Sequence, residues 1–255
     1  MDRMIHTALN SLGNLRDQRV ISAQNLANLA VPGFRRDLAN DGSAHFLTTF
    51  DGLTARALQL ERGAHGFSRA AGPLDRTGDP MDLAIADRGF FYIQPPDGGE
   101  PALTRRADLQ VGAGGVLQNG AGEPLLGVDL QPVVLPPFRT IEVNDLGQIV
   151  IAPQSGAPGE RQLVATLATV DPPDSLDLRK SPDGRIRTSD GTPLPAPDQR
   201  PRILQGVREG SNVNATAELI DSIELQRTFE LNLRMIQTAR EIDEAGSALL
   251  RPPGG

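Results

Sequence analysis

Few residues in this 255-residue chain belong to the types that carry enzyme chemistry or hold metal ions. Its three histidines, His6, His45 and His65, lack the paired spacing of metal sites and of His-dependent catalysis. The sequence contains no cysteine, which excludes disulfides, Cys-ligated zinc and thiol catalysis. Lys180 is its one lysine, so lysine-based Schiff-base or phosphate chemistry has almost no material. These counts predict neither a catalytic residue nor a metal site.

Three further patterns resemble ligand sites only superficially. Aspartates recur between positions 75 and 87, but apolar residues interrupt the alternation that a calcium loop needs. The glycine-rich run 111–122 is followed by Pro124 and a strand pattern, whereas a phosphate loop opens a helix. The basic pair Arg105-Arg106 is interpreted as two solvated side chains. We therefore predict no cofactor and no small-molecule substrate.

The charge balance restricts the class of partner. The chain has 25 basic and 32 acidic residues, a net charge of -7, which argues against binding nucleic acid or an anionic membrane. No run of eighteen apolar residues occurs, so no membrane-spanning segment is predicted. The mixed polar opening of the sequence predicts no Sec-type signal peptide.

Proline placement divides the chain into helix-permissive ends and a turn-rich middle. Eighteen of the 21 prolines lie between Pro73 and Pro201, and proline breaks helix interiors. We expect four segments. They are an N-terminal helix with its turn (1–34), a connector (35–70), a central β-domain (71–205) and a C-terminal helix (206–255).

The first segment is predicted to be a helix from about Arg3 to Leu29, ended by the turn residues Pro32 and Gly33. Eight of its positions follow one another in alternating steps of three and four, and six of them hold apolar residues, which is typical of a heptad seam. This seam comprises Ile5, Ala8, Leu12, Leu15, Arg19, Ser22, Leu26 and Leu29.

The last segment is predicted to be a helix from about Asn214 to Leu250, with Asn214 as its N-cap and Glu218 in its first turn. Two apolar stripes run along this helix, and burying both requires at least two neighbouring elements. The alternative is that the helix packs along its own middle domain. The first stripe is Leu219, Ile223, Gln226, Phe229, Leu233 and Ile236, and the second is Leu231, Met235, Thr238, Ile242, Ala245 and Leu249.

Short β-patterns separated by glycine turns fill the middle of the chain and predict an antiparallel sandwich or barrel-like domain. The predicted strands include 83–85, 90–93, 109–111, 116–117, 132–135, 141–143, 148–151 and 163–170. The predicted fold class is α+β, with long N- and C-terminal helices pairing as a coiled coil around a central, mostly antiparallel β-domain.

Distinctive motifs lie at both ends of the chain. The first, Asn25-Leu-Ala-Asn28 followed by Pro32-Gly33-Phe34-Arg35, is similar to the N-terminal signature of the bacterial flagellar rod and hook protein family. Residues 209–214, Glu-Gly-Ser-Asn-Val-Asn, are similar to its C-terminal signature, and residues 72–91 to the start of its β-domain. The resemblance therefore spans nearly the whole chain in the expected order.

Within that family, residues 1–8 are most similar to the proximal rod type; the distal rod type is the alternative, and the hook type fits less well. The resemblance implies a structural rod subunit of the flagellar basal body that assembles helically and transmits torque from motor to hook. The implied partners are copies of itself, other rod subunits and the flagellar type III export apparatus. The implied location is the rod, in the periplasmic space.

The expected assembly residues are the apolar seams and the motifs at the helix ends. The resemblance implies that the polar members cap helices and fix register. The full set is Ile5, Leu12, Leu15, Asn25, Leu26, Asn28, Leu29, Pro32, Gly33, Phe34, Ser211, Asn212, Val213, Ile223, Phe229, Leu233, Ile236, Ile242 and Leu249, and Asn214 shares the capping role.

A function of a different class stays open at this point: a periplasmic carbohydrate-binding or enzymatic β-domain with helical arms. Such a domain needs a cleft lined by aromatic side chains or paired carboxylates. Phe90, Phe91 and Tyr92 are the aromatic residues that the sequence offers for such a surface.

Overall fold

The computed structural model describes residues 2–38, 46–47, 56–57, 66–181 and 183–249. Helix α1 spans Asp2–Ala27 and helix α2 spans Ala215–Leu249, which confirms the two predicted terminal helices. No helix in the described part of the chain is both long and apolar enough to cross a membrane. The chain divides into two compact units. Unit 1 comprises Met1–Ala27, Leu38–Gly63 and Asn214–Gly255, and unit 2 comprises Asn28–Asp37 and Ala64–Val213.

The described residues between the helices form short strands, as their frequent glycines and prolines require. A single 3-10 turn, Ala113–Gly115, lies in this described region. The strands are β1 (Asp37–Leu38), β2 (Phe46–Leu47), β3 (Arg56–Ala57), β4 (Gly66–Phe67), β5 (Leu74–Arg76), β6 (Leu83–Ile85), β7 (Phe90–Ile93), β8 (Ala102–Thr104), β9 (Leu109–Val111), β10 (Leu117–Asn119), β11 (Phe138–Val143), β12 (Gln148–Pro153), β13 (Gln162–Thr166), β14 (Thr169–Val170), β15 (Leu178–Lys180), β16 (Ile186–Thr188), β17 (Ile203–Gln205) and β18 (Val207–Glu209).

The largest sheet lies in unit 2 and has five strands in the order β14-β7-β8-β16-β15, with antiparallel neighbours. Along β7, Phe91 and Ile93 pack into one hydrophobic cluster, and Phe90 and Tyr92 pack into another. Side chains of a strand alternate between its two faces, so each face of this sheet is covered by a separate core. This explains why β7 contains no charged residue.

Several of the remaining strands extend the first of these cores. A three-stranded antiparallel sheet, β11-β12-β13, contributes Ile141, Val143, Ile149 and Ile151 to the cluster that contains Phe91. The other strands associate in twos: β1 with β4, β2 with β3, β5 with β18, β6 with β17, and β9 with β10. Strands close to the C-terminal helix therefore pair with strands from the start of the β-domain.

Two strand predictions were wrong in detail. The run 163–170 forms two strands in different sheets, β13 beside β12 and β14 beside β7. Between them the Leu167 amide donates to the Gly147 carbonyl and the Ala168 amide to that of Leu126, so the chain changes partners there. The run 132–135 makes only isolated bridges, and Pro132 has no amide proton to donate to a ladder.

The prediction that the terminal helices pair as a coiled coil is wrong. Within unit 1 they make polar and mixed contacts, such as Asn25 with Glu218 and Arg19 over the ring of Phe229. A coiled coil buries its seam side chains, whereas six of those on α2 remain 40–59% exposed. Apolar residues occur on more faces of α2 than one partner helix can cover. The exposed seam residues are Leu219, Ile223, Leu231, Leu233, Met235 and Ile242.

The predicted connector, 35–70, falls mostly outside the described residues. Its described parts include β1 and β4, which pair with each other, and β2 and β3, which pair antiparallel. The division into four segments at residues 34, 70 and 205 stays a prediction.

Core packing in unit 2 gives a direct stability test with a built-in control. Leu167 is completely buried and Leu163, four residues earlier, is 57% exposed. We expect Leu167→Ala to lower the free energy of unfolding by roughly 2–5 kcal/mol, because it leaves a cavity. Leu163→Ala should change it by no more than about 0.5 kcal/mol. Urea unfolding of the full chain measures both, and equal effects would contradict this description of the core.

Candidate assembly site

Asn214 caps the N-terminus of α2, as its position in the sequence predicts. Its side-chain oxygen accepts a hydrogen bond from the Ala217 amide at 3.1 Å, and its carbonyl accepts one from the Glu218 amide at 3.0 Å. The first amides of a helix have no partner within the helix, and this arrangement satisfies one of them with a side chain. The start of α2 is therefore fixed locally by Asn214.

Helix α1 reaches the first turn of α2 through buried polar side chains. The Asn25 side-chain amide donates to Oε1 of Glu218 at 3.1 Å, and the Ser22 hydroxyl donates to the Glu218 carbonyl at 3.2 Å. All three residues are buried. A buried carboxylate needs donors close to it, and the positive end of the α2 dipole also favours its charge. Asn25 therefore joins α1 to the first turn of α2 in unit 1. Its role in helix register stays a prediction, and Ser22 was not assigned a polar role from the sequence.

Seven large apolar side chains of α2 are exposed among its described residues. At about 100° per residue they fall into two rows, roughly 130° apart around the helix. The first row is Leu219, Ile223 and Leu233, and the second row is Ile220, Leu231, Met235 and Ile242. Large exposed apolar side chains that share a helix face in this way are typical of an interaction surface.

The predicted seam residues occupy several different environments in unit 1. On α1, Leu15 is buried while Leu12 and Leu26 are half-buried. On α2, Phe229 and Ile236 are half-buried, and Ile223, Leu233 and Ile242 are exposed. The side chains of Ile5 and Leu249 lie outside the described part of the structure. The assembly role of this set stays a prediction.

In unit 2 the two terminal signatures meet at one buried carboxylate, that of Glu209. Its Oε1 lies 2.9 Å from Nη2 of Arg35, and its Oε2 accepts a hydrogen bond from Nε of Arg105 at 2.7 Å. The Gly72 amide donates to Oε1 at 2.9 Å, and the Gly33 amide donates to the Glu209 carbonyl at 2.8 Å. We call these five residues, Gly33, Arg35, Gly72, Arg105 and Glu209, the clasp.

The second arginine of the clasp ties it to the main core. Besides Glu209, the Arg105 guanidinium donates to the carbonyls of Ile85, Asp87 and Gly89 at 2.8–2.9 Å. The interpretation of Arg105 as a solvated side chain was therefore wrong, because it is buried and fully engaged. Its neighbour Arg106 instead pairs with Asp108 at 2.8 Å.

Burial and charge act in opposite directions on Arg35. The pKa of its guanidinium is lowered to about 10, chiefly by burial and also by the nearby Arg105 charge, while Glu209 opposes both. Arg35 therefore stays protonated at neutral pH, and its ion pair with Glu209 persists there. The guanidinium also donates to the Ala70 carbonyl.

Gly33 is required at its position by sterics as well as by its backbone conformation. Its φ of +66° lies in the left-handed region, and a Cβ there would be 2.4 Å from the carbonyl carbon of Arg105. The glycine therefore lets the N-terminal signature approach the sheet closely. Beside it, Pro32 and Phe34 are half-buried.

The C-terminal signature residue Asn212 makes a second polar centre next to the clasp. Its side-chain oxygen accepts from the Arg36 amide at 2.6 Å, and its own backbone amide donates to the Phe34 carbonyl at 3.2 Å. Its side-chain nitrogen donates to the carbonyls of Ala70 at 2.7 Å and Ser68 at 3.3 Å. Asn212 thus joins chain segments, a role different from the predicted helix capping.

The other signature residues act locally. Ser211 is buried, and its hydroxyl accepts from the amide of Val213, which is also buried. The Asn28 carbonyl accepts from the Val31 amide at 3.1 Å in the turn that follows α1.

Lys180 holds the N-terminal signature from the side of β15. Its Nζ lies 2.9 Å from Oδ1 of Asp37, donates to the Arg35 carbonyl at 3.0 Å and stands 3.5 Å from the centre of the Phe34 ring. Burial lowers the pKa of this lysine, and Asp37 opposes that shift. Sequence analysis did not assign Lys180 or Asp37 to the site. The one signal in the sequence that could have indicated this pair is that Lys180 is the only lysine.

A cavity of about 470 Å³ lies next to the clasp, lined in part by Arg35, Arg69, Arg88 and Arg105. These arginines are already engaged. Arg35 and Arg105 pair with Glu209, and Arg69 and Arg88 pair with Asp174. Asp87 and Asp171 also line the cavity, so its four arginines are accompanied by four carboxylates, those of Asp87, Asp171, Asp174 and Glu209.

The geometry does not favour a carbohydrate-binding or enzymatic β-domain. Phe90, Phe91 and Tyr92 are all buried in the two cores, so they do not form the aromatic platform that this alternative needs. Among the described residues, no group of three or more His, Asp or Glu side chains is placed to hold a metal ion.

Comparison with known proteins identifies the family. A family model described as "Flagellar basal body rod FlgEFG protein C-terminal" matches residues 204–249, which include β18 and α2. The flagellar basal-body rod protein FlgF of Salmonella typhimurium is 30% identical to this chain over 98% of this chain and 99% of its own length. FlgF of Escherichia coli K12 is 31% identical over 97% of each chain.

Relatives with the other rod name are less similar. The flagellar basal-body rod protein FlgG of Buchnera aphidicola from Acyrthosiphon pisum is 27% identical over 87% of this chain and 90% of its own length. The distal-rod alternative is therefore less well supported than the proximal, FlgF-type assignment that the sequence motifs indicated. The chain belongs to the flagellar basal-body rod protein family, is of the FlgF type, and is a structural subunit of the rod.

Proposed function

We propose that this rod subunit assembles by burying the two apolar rows of α2 against neighbouring subunits, both copies of itself and other rod proteins. The observation that carries the proposal is the exposure of all seven side chains in the first and second rows. The assembled rod then transmits torque from the motor to the hook and supports swimming.

The energetics favour covering these rows. A large apolar side chain gains roughly 1.5–3 kcal/mol when it is fully buried, and each of these is about half exposed at the start. Covering either row with apolar side chains of a neighbour therefore gains several times the thermal energy. Association must also offset the loss of translational and rotational freedom, which favours contacts that use several side chains at once.

The separation of the rows favours an open assembly. Because the two rows lie roughly 130° apart on α2, one neighbour that lies along the helix covers one of them more readily than both. Contacts between different surfaces of successive subunits do not close on themselves, and they extend as a helical array. This supports the helical assembly that the family resemblance implies.

The location and route of the subunit belong to the same proposal. The family places it in the basal body, and we propose that it occupies the periplasmic part of the rod after passage through the flagellar type III export apparatus. The resemblance of the terminal motifs to those of exported rod proteins supports this route. The two apolar rows would then be covered only after export, where neighbouring subunits are present.

Leu233→Asp tests the first row. We expect the variant chain to fold normally but to abolish swimming, because assembly would bury a carboxylate without a partner. Thr216→Asp is the matched control, since it adds the same charge at an exposed position in the first turn of α2, where a carboxylate is favourable. Soft-agar motility and recovery of the subunit in purified basal bodies measure both. Normal swimming by Leu233→Asp would disprove the assembly role of this row.

The export route has its own test. In cells whose flagellar type III apparatus is inactivated, we expect the subunit to remain in the cytoplasm, whereas wild-type cells carry it in basal bodies. Immunoblots of cytoplasmic, periplasmic and basal-body fractions measure its distribution. Soluble subunit in the periplasm of the export-deficient strain would contradict this route.

A further inference from the structure

The chain passes between unit 1 and unit 2 after residues 27, 37, 63 and 213. In unit 2, three segments adjoin these passages: the stretch 28–37, the described residues that begin at 66, and the stretch that ends at 213. Any force or geometric constraint carried along the backbone between the units must run through these three segments.

The clasp takes residues from all three segments and joins them at one carboxylate. Gly33 and Arg35 belong to the first segment, Gly72 to the second and Glu209 to the third. Arg105 then fixes that carboxylate to the β6–β7 region of the core. Side chains of Arg35, Arg105 and Glu209 are 1–4% exposed, so water does not compete for these bonds.

Asn212 repeats this pattern with uncharged bonds. It contacts Phe34 and Arg36 in the first segment and Ser68 and Ala70 in the second, from its own place in the third. Two polar centres therefore join the same three segments, and their side chains belong to neither hydrophobic cluster. An ion pair that contributed only stability could lie anywhere in the core, whereas both of these centres lie at the segments that connect the two units.

We propose that Glu209 is a positioning residue for assembly, which acts through Gly33, Arg35 and Gly72 to hold the three connecting segments in one fixed arrangement. The inference rests on the proposed function, in which the helices of the subunit must be available for contact with neighbouring subunits. Loss of Glu209 then impairs assembly beyond what loss of stability explains.

The single lysine provides a reporter for this arrangement. Lys180 is buried against Phe34, Arg35 and Asp37 of the first segment. An amine-reactive reagent can modify it only when that segment moves away, and mass spectrometry of the peptide separates this product from modification of the chain's α-amino group. The rate of Lys180 labelling in the folded chain therefore measures release of the first segment.

Glu209→Gln is the primary variant and Glu123→Gln is its matched control. Glu123 is also a buried carboxylate, pairing with Arg185 at 2.7 Å and accepting from Asn119 at 2.8 Å, but it lies outside the three connecting segments. Glu209→Gln removes the carboxylate that pairs with Arg35 and Arg105, and Glu123→Gln removes one of the two carboxylates that pair with Arg185, the other being that of Asp183. Asn212→Ala serves as a milder second variant, because it removes the uncharged centre and leaves the ion pairs intact.

We expect Lys180 to be labelled roughly tenfold faster in the Glu209→Gln chain than in wild type, because the charge-assisted hydrogen bonds that hold the first segment are lost. It should also lose swimming and incorporation into basal bodies. Glu123→Gln should keep wild-type labelling and swimming even where its unfolding midpoint falls. If Glu209→Gln does not fold, Asn212→Ala should show the same two effects to a smaller degree.

The proposal is overturned if Lys180 protection is unchanged in the folded Glu209→Gln and Asn212→Ala chains. It is also overturned if Glu209→Gln swims as well as Glu123→Gln, or if both lose swimming in proportion to their loss of stability. Failure of the proposed function is distinguished by a different result, normal swimming of Leu233→Asp, which leaves the Lys180 measurements unaffected.

Discussion

The segments that connect unit 2 to unit 1 depend on one constraint: positive side chains must lie next to the buried carboxylate of Glu209. An isolated charge in a protein interior costs far more than folding can offset, so Arg35 and Arg105 must both be in place when Glu209 is buried. Arg35 brings the N-terminal signature to the sheet, and Arg105 brings the β6–β7 carbonyls. Motifs far apart in sequence therefore become a single structural feature.

Unit 1 has the opposite character, because its helices leave apolar surface uncovered. The polar contacts of Ser22 and Asn25 with Glu218 fix where α1 meets α2, and they contribute orientation more than stability. The rows on α2 remain exposed in the single chain. A subunit that joins its segments internally by buried charge and presents apolar rows outward is well suited to assembly with neighbours.

Sequence reasoning found what local rules control. The absence of proline located both helices, Asn214 was identified as a cap, and glycine turns indicated the β-rich middle. It failed where tertiary context decides. Heptad spacing on α2 could not show that most of its seam side chains stay exposed in the single chain. An arginine pair gave no sign that Arg105 is buried beside a carboxylate 104 residues away. The partner change at Leu167 was invisible for the same reason.

The central claim is that neighbouring subunits cover the apolar rows of α2 in the rod, and oxidation of Met235 tests it most directly. Met235 belongs to the second row and is 56% exposed, so peroxide should convert it readily to the sulfoxide in the free chain. In purified basal bodies the account predicts strong protection of Met235, measured by mass spectrometry against the free chain treated identically. Equal oxidation of Met235 in the free chain and in the rod would contradict the account.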